Sequence, residues 1–292
     1  MRGRRRAVSA EQVREISYAH SARSRSGRAV IRSLENLTGR MRLLRMARDY
    51  ELEIASGRDF WQVMIERYGL SLNVVCGSLE SLPSSGPLVV VANHPYGILD
   101  GLMLGYILSR TRSDFRILAN SVFGRSEDLG DIILPVSFDE TPEATKANIE
   151  TRREALSFLS EGGAIGVFPG GMVSTAARPF GRPMDPSWRR FTARLIAKSG
   201  ATVAPLYFEG HNTRLFQIAS HLHVTLRLGL MIGEFRGRVG KSVEVAIGTP
   251  LDPEDVLAHA SDAGAMMDYL RGETYALAPR PLPHLQYGFD FS

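Results

Sequence analysis

The sequence predicts an α/β fold, in which a central, mostly parallel sheet is flanked by helices and preceded by an N-terminal amphipathic helical hairpin. The chain has 292 residues, of which 44% are apolar and 23% charged, a composition typical of a globular protein with a full core. After a turn signal at residues 84–87, short apolar segments rich in β-branched residues alternate with helical segments. Such alternation favours strands that are covered by helices on both faces.

Residues 1–27 are interpreted as a basic, flexible arm, because arginine and serine dominate this segment and apolar clusters are few. The segment also resembles a mitochondrial presequence in composition, and it lacks the apolar core of a secretory signal. Residues 1–50 contain 13 arginines and four acidic residues, a net charge of +9 that leaves −5 for the rest of the chain. The positive charge therefore lies at one end of the sequence.

Residues 28–83 are predicted to form an N-terminal helical region. Apolar residues recur there at the spacing of one helix face, namely Val30, Leu34, Leu37, Met41 and Leu44, with arginines beside them. A second helical stretch covers residues 58–69. The first helix either packs on the core with its arginines in solvent, or lies in the headgroup layer of an anionic membrane, where each arginine gains about 1 kcal/mol.

Residues 84–275 are predicted to form the α/β domain, and residues 276–292 a proline-rich, irregular tail. The predicted strands cover residues 87–93, 115–120, 131–136, 164–169, 202–210 and 243–251. The predicted helices cover residues 99–110, 142–160, 185–199, 213–230 and 253–272. The single cysteine, Cys76, excludes an internal disulfide framework and a multi-cysteine zinc site, and it is interpreted as a buried thiol.

Two classes of protein are disfavoured by composition. No apolar run approaches the roughly 18 residues that a membrane-spanning helix requires. The sequence pI near 9.4 raises the question of nucleic acid. The chain contains no aromatic-basic stacking motif and no recognition-helix pattern, so no nucleic-acid partner is expected.

The segment from Val89 to Gly105 places titratable groups at the end of a predicted buried strand. The strand is followed by Asn93 and His94, and a carboxylate, Asp100, comes six positions after the histidine. Pro and Gly between the two residues predict a tight turn that folds the side chains towards each other. An aspartate that holds one imidazole nitrogen leaves the other nitrogen to accept a proton, so this pair is a candidate general base.

Three motifs in order carry a family resemblance: "NHPYGILD" (93–100), "FPGGMVS" (168–174) and "VAPLYFEGHN" (203–212). The sequence resembles the glycerolipid and lysophospholipid acyltransferase family, and within it the hemolysin-like branch, over residues 88–251. The resemblance implies His94 as the catalytic base and Asp100 as its orienting partner. Most members have one residue fewer between the two, and the spacing seen here is also found in the hemolysin-like branch.

The second motif departs from the family pattern, in which a glutamate and an arginine help to bind the phosphate of the acceptor. Gly170 stands at the glutamate position and Val173 at the arginine position. Arg178 and Arg182 are the nearest arginines that could replace the missing one, and main-chain N–H groups after a Pro-Gly-Gly turn can bind an anion. The predicted substrate-binding residues are Asn93, Gly97, Phe168, Pro169, Gly170, Gly171, Ser174 and Arg178.

The resemblance implies a peripheral O-acyltransferase that moves a fatty acyl group from acyl-CoA or acyl-carrier protein to the hydroxyl group of a lysolipid or related lipid. The expected partners are a membrane lipid acceptor, an anionic membrane surface and, as donor, acyl-carrier protein. No metal and no cofactor besides the co-substrate are expected.

The altered second motif also suits an acceptor lipid that contains an amino acid. A lipid-binding protein without turnover and a thioester hydrolase are further alternatives. The expected location is the cytoplasm, on the inner face of the membrane, and this setting favours the headgroup-layer interpretation of the arginine-rich helix.

Overall fold

The computed structural model of the chain describes residues 17–22, 24–120, 130–137, 141–282 and 284–291. Most of the predicted basic arm, residues 1–16 and 23, lies outside the described residues. Among the described residues, no helix combines the length and the apolar character that crossing a bilayer requires.

The described residues contain one large sheet and one small hairpin. The strands are β1 (Ser71–Cys76), β2 (Leu88–Ala92), β3 (Phe115–Asn120), β4 (Ile133–Val136), β5 (Ala164–Val167), β6 (Thr175–Ala176), β7 (Pro183–Met184), β8 (Thr202–Phe208) and β9 (Ser242–Ile247). Within the described residues the large sheet has the order β1-β9-β8-β2-β5-β3-β4, and all neighbours are parallel except β8 and β9. Strands β6 and β7 form an antiparallel hairpin.

Helices cover the sheet and extend the N-terminal region. They are α1 (Arg25–Thr38), α2 (Arg40–Met46), α3 (Tyr50–Ala55), α4 (Phe60–Arg67), α5 (Ile98–Thr111), α6 (Pro142–Ser160), α7 (Arg190–Ser199), α8 (Arg214–Leu222), α9 (Val224–Arg238), α10 (Pro253–Ala258) and α11 (Ala263–Ala276). The predicted fold class, a mostly parallel sheet flanked by helices, is confirmed.

Strand β2 lies at the centre of the sheet and is buried along its whole length. Leu88, Val90 and Ala92 pack in the core with α4 and α5, whereas Val89 and Val91 pack in the core with α7 and α11 on the other face. The neighbours of β2 are β5 and β8, and both run parallel to it. The carboxyl ends of these three strands therefore meet at one edge of the sheet, where open α/β sheets bind their ligands.

The two N-terminal helical stretches pack on the α/β domain. Helix α1 lies along α9, and α4 packs against α5. The close approach of α1 and α9 depends on Gly229, because a methyl group there would lie 2.7 Å from the side chain of Leu34. One face of α1 is therefore covered by protein.

The secondary structure differs from the prediction in several places. Strands β6 and β7 were not predicted, and the first N-terminal helical stretch divides at Gly39 into α1 and α2. Strand β1 was not predicted; it pairs with β9 at the edge of the sheet, and its mostly exposed side chains give a weak apolar pattern. The predicted helix 185–199 begins only at Arg190. The predicted helix 213–230 breaks at His223, which is extended and whose ring accepts the N–H of Thr225 at the start of α9. The predicted helix 253–272 is likewise divided into α10 and α11, because Asp262 caps the second helix.

Cys76 is exposed, so the prediction of a buried thiol was wrong.

Candidate active site

Strand β2 delivers the first motif to the carboxyl edge of the sheet. Asn93 follows the strand and is 2% exposed. Its Nδ2 donates to the main-chain oxygen of Phe208 at 2.9 Å, and its Oδ1 accepts the N–H of Phe208 at 2.7 Å. The Asn93 side chain thus joins the ends of β2 and β8, and this fixes where the chain leaves the sheet.

The turn after Asn93 brings His94 and Asp100 together. Gly97 has φ +89°, a backbone conformation that strains any residue with a side chain, and a methyl group there would also displace the end of the Met231 side chain, which lies 2.2 Å from its position. Helix α5 begins directly after Gly97 and carries Asp100 in its first turn. The His94 Nδ1 atom lies 3.0 Å from the Asp100 Oδ2 atom. The predicted pairing of these two side chains is therefore present in the fold.

The Asp100 carboxylate is fully buried and holds the turn as well as the histidine. Its Oδ2 accepts the N–H groups of Tyr96 at 2.7 Å and Gly97 at 2.9 Å. Burial raises the pKa of this carboxyl group, while His94 and the two N–H groups oppose that shift. A buried carboxylate held by two main-chain N–H groups has little freedom to turn away from the imidazole ring.

The His94 ring is fixed on one side and open on another. It stacks on Phe168 with a centroid distance of 4.2 Å, Nδ1 is buried against Asp100, and 17% of the side chain remains exposed. The ring is not turned for a straight N–H···O bond to Asp100, a contact that commonly tightens when substrate binds. With Nδ1 against the carboxylate, Nε2 is the nitrogen that can take a proton from a substrate.

The second motif forms the loop between β5 and β6 and lies directly beside His94. The Ser174 N–H donates to the main-chain oxygen of His94 at 2.7 Å, and the Gly171 N–H donates to the main-chain oxygen of Phe168 at 2.9 Å. Pro169 and Gly170 are buried. The N–H groups of Gly171 and Ser174, part of the predicted anion cradle, are thus used to hold the loop against the histidine.

A buried carboxylate that sequence reasoning missed joins the first two motifs. Asp185 follows β7 and is 0% exposed. Its Oδ1 accepts the N–H of His94 at 3.1 Å and the hydroxyl of Ser174, and its Oδ2 accepts the indole N–H of Trp188 at 2.9 Å. Asp185 packs directly beside Gly170, since a methyl group at Gly170 would lie 3.4 Å from the Cβ of Asp185, an ordinary contact distance.

The predicted substrate-binding arginine lies away from this buried cluster. Arg178 is exposed, in the loop 177–182 that connects β6 and β7. The buried cation behind the second motif is Arg227 of α9, which sequence reasoning missed. It donates to the main-chain oxygen of Val173 at 2.8 Å, the Thr175 hydroxyl at 2.5 Å and the Ser220 hydroxyl at 3.1 Å. Burial lowers the pKa of Arg227 to about 10.

The third motif, residues 203–212, contacts the first motif. The Tyr96 hydroxyl donates to the main-chain oxygen of Glu209 at 2.7 Å, and Asn212 is buried at the start of the segment that leads into α8. Burial raises the pKa of Tyr96 to about 12, so this phenol stays protonated at neutral pH. All three motifs therefore meet at one edge of the sheet, around His94.

Comparison with known proteins gives a family match, two similar sequences and a similar solved structure. Residues 42–280, more than half of the chain, match the protein family described as Acyltransferase. A lyso-glycine lipid O-acyltransferase of Phocaeicola vulgatus is 27% identical over 202 residues, 67% of this chain and 69% of that protein. A protein with the same description from Bacteroides thetaiotaomicron is 24% identical over 229 residues, 76% of this chain and 80% of that protein.

Among solved structures, the chain is similar to the 1-acyl-sn-glycerophosphate (LPA) acyltransferase PlsC from Thermotoga maritima. Its TM-score is 0.47 at 15% identity, and the match covers 90% of this chain and 87% of that one.

Proposed function

The chain belongs to the family described as Acyltransferase, and we propose that it is a lipid O-acyltransferase in which His94 is the general base and Asp100 its orienting partner. The observation that carries the proposal is the 3.0 Å contact between His94 Nδ1 and the buried Asp100 carboxylate at the carboxyl edge of the sheet, where the His94 side chain keeps some exposure to solvent. This arrangement suits proton removal from a hydroxyl group that arrives from solvent.

In the proposed reaction, Nε2 of His94 takes the proton of the acceptor hydroxyl as its oxygen attacks the carbonyl carbon of an acyl thioester. The C–S bond then breaks, and the imidazolium returns the proton to the departing thiolate, so that an ester and a free thiol are formed. Asp100 stabilises the imidazolium while it exists. General-base assistance of this kind contributes on the order of 10²- to 10⁴-fold in rate.

We infer that the acceptor is a lyso lipid that contains an amino acid. Two observations favour it over a lysophospholipid. The second motif has Gly170 and Val173 where the resembling family has its phosphate-binding glutamate and arginine, and the space beside Gly170 is filled by Asp185. Both curated relatives are described as lyso-glycine lipid O-acyltransferases. The donor is proposed to be acyl-CoA or acyl-carrier protein, whose thioester supplies the activated acyl group.

We further propose that the protein binds to the membrane surface that holds this acceptor. Helix α1 and the start of α2 leave apolar side chains exposed, with Leu37 81% and Met41 52% exposed. Arg42 and Arg45 are exposed beside them. An exposed apolar and basic helix surface of this kind suits the headgroup layer of an anionic membrane.

The test is a mass-spectrometric assay of acyl transfer with three acceptors: lyso-glycine lipid, lysophosphatidic acid and none. Thiol release and ester formation that depend on the lyso-glycine lipid support the proposal. Ester formation only with lysophosphatidic acid would assign the acceptor to the lysophospholipids, and free fatty acid without any acceptor would indicate a thioester hydrolase.

The matched pair of variants is His94→Ala and His259→Ala. His259 lies at the end of α10 and stacks on Tyr269, with a centroid distance of 4.9 Å. We expect loss of transfer only in His94→Ala. Normal transfer in that variant would exclude the proposed base, and a parent protein that binds the acceptor without turnover would be a lipid-binding protein.

A further inference from the structure

The β6–β7 hairpin connects the active site with the molecular surface. At its base, Ser174 donates to the main-chain oxygen of His94, and Asp185 accepts the His94 N–H at 3.1 Å. At its tip, loop 177–182 carries Phe180, which is 78% exposed, between the exposed residues Arg178 and Arg182. A phenylalanine with this exposure on a loop has no role in the core.

Helix α8 packs beside the hairpin. The Arg214 guanidinium donates to the main-chain oxygen of Gly181 at 2.7 Å, and Gln217 accepts the Ala176 N–H at 3.0 Å. His221 contacts the main-chain oxygen of Ala176 at 2.9 Å. The helix and the hairpin tip therefore form one continuous surface.

This surface exposes an apolar stripe. Leu215 is 65% exposed and Leu222 70%, and Ile218 between them is partly exposed, so the three lie on one face of α8. Val224, at the start of α9, is 52% exposed. We call these four residues together with Phe180 the α8 apolar surface. Clustered, exposed apolar side chains at helical spacing mark an interaction site rather than ordinary surface scatter.

The charges around the α8 apolar surface select the partner. Residues 177–182 and 211–238 include a single acidic residue, Glu234, and Thr213 donates to it with its N–H and its hydroxyl. Arg178, Arg182 and Arg214 are exposed around the surface. An apolar stripe with a basic border is complementary to the interface of an anionic bilayer, where apolar side chains enter the acyl region and arginines meet the headgroups.

We propose that the α8 apolar surface docks on anionic lipid bilayers, with Phe180 and Leu222 inserted below the headgroups, and that it places the hairpin base and His94 at the membrane where the acceptor lies. The inference rests on the proposed function, because it assumes a lipid acceptor. It adds a second contact, separate from the exposed face of α1.

The experiment compares sedimentation of the full chain with vesicles of phosphatidylcholine alone and of phosphatidylcholine with phosphatidylglycerol. The test variant is Phe180→Ser/Leu222→Ser. The control is Ile149→Ser, which removes an equally apolar side chain, 53% exposed, from α6, a helix packed against β4, β5 and α7. Removing two inserted side chains should weaken the partition onto anionic vesicles by about a hundredfold, since each such side chain is worth about one power of ten.

A second measurement separates this inference from the proposed function. Acyl transfer is measured with lyso-glycine lipid in vesicles and with a short-chain analogue dissolved as monomers. We expect the double variant to keep parental activity on the dissolved analogue, which also shows that it is folded, and to lose activity on vesicles.

Several results would overturn the proposal. Parental binding of the double variant to anionic vesicles excludes the surface as a bilayer contact. Equal binding of the parent to vesicles with and without phosphatidylglycerol, unaffected by salt, excludes the role of the arginines. A change of oligomeric state in the double variant, with vesicle binding intact, would assign the surface to contact between two copies of the chain. A parent that acylates neither acceptor refutes the proposed function, while the vesicle measurement still judges the surface.

Discussion

The substitution Asp100→Asn tests the active site through two quantities: kcat, which should fall, and stability relative to the parent, which should rise with pH. It is nearly isosteric, and an amide oxygen can still accept the N–H groups of Tyr96 and Gly97, so the turn before α5 is kept. The negative charge beside His94 Nδ1 is lost. Because nothing then stabilises the imidazolium that forms during proton transfer, we expect kcat to fall on the order of 10²- to 10⁴-fold.

The stability of this variant should rise relative to the parent as the pH rises. Burial raises the pKa of Asp100 in the folded state. Below the unfolded pKa of about 3.9 the carboxyl group is protonated in both states and costs nothing. Above the raised folded pKa, the ionised form destabilises the fold by about 1.4 kcal/mol for every tenfold difference between the acid dissociation constants of the folded and unfolded states. Asparagine carries no such penalty at any pH.

The assay is thermal unfolding of parent and variant from pH 4 to pH 7, together with steady-state kinetics at pH 7. Among the described residues, no group hydrogen bonds to Asp100 Oδ1, so the amide nitrogen placed there costs about 1–3 kcal/mol at every pH. The informative quantity is therefore the change of the stability difference with pH. If the difference in stability between variant and parent stays constant with pH, or falls as the pH rises, the assignment of a carboxyl group with a raised pKa is refuted. A kcat equal to that of the parent would refute the role of Asp100 beside His94.

Three further substitutions test how the site is held. In Asp185→Asn, an acceptor of three hydrogen bonds is replaced by an amide that must present its N–H to one of those donors, so we expect the free energy of unfolding, measured in urea, to fall by about 2–4 kcal/mol. Where the variant is still folded, kcat should also fall, because the His94 main chain shifts. A kcat equal to that of the parent would limit the role of Asp185 to stability. Gly97→Ala places a methyl group on a residue with φ +89°, 2.2 Å from the side chain of Met231, and we expect the free energy of unfolding to fall by about 1–3 kcal/mol. A melting temperature equal to that of the parent would show that the turn can relax. Asn93→Ala removes the two hydrogen bonds from the Asn93 side chain to the Phe208 main chain and should lower the free energy of unfolding by about 2–4 kcal/mol. A free energy of unfolding like that of the parent would show that these bonds do not hold the end of β2 to β8.

The sequence was informative wherever the determining contacts are local. His94 and Asp100 lie on one short segment, and the Pro and Gly residues between them leave few ways to connect strand and helix. Their pairing could therefore be predicted from spacing and turn chemistry. Strand β2 was predictable for a similar reason, since an unbroken β-branched run is typical of a central parallel strand.

The sequence was uninformative where the partner comes from a distant part of the chain. Asp185 meets His94 across 91 positions, and Arg227 meets Thr175 across 52. Neither residue stands out by its neighbours: one precedes a proline in a loop, and the other is a basic residue in a helix. Only folding places the Asp185 carboxylate beside Gly170.

The sequence by itself determined most of the alternation of strands and helices, the edge of the sheet at which the three motifs gather, and the pairing of His94 with Asp100, because periodicity and turn residues act over a few positions. Only the tertiary structure decided which buried charges support that pair, which face of α1 packs on α9, and that α8 turns an apolar stripe outwards. Those outcomes depend on contacts between segments far apart in the chain, and the free energy of such contacts is absent from any local pattern.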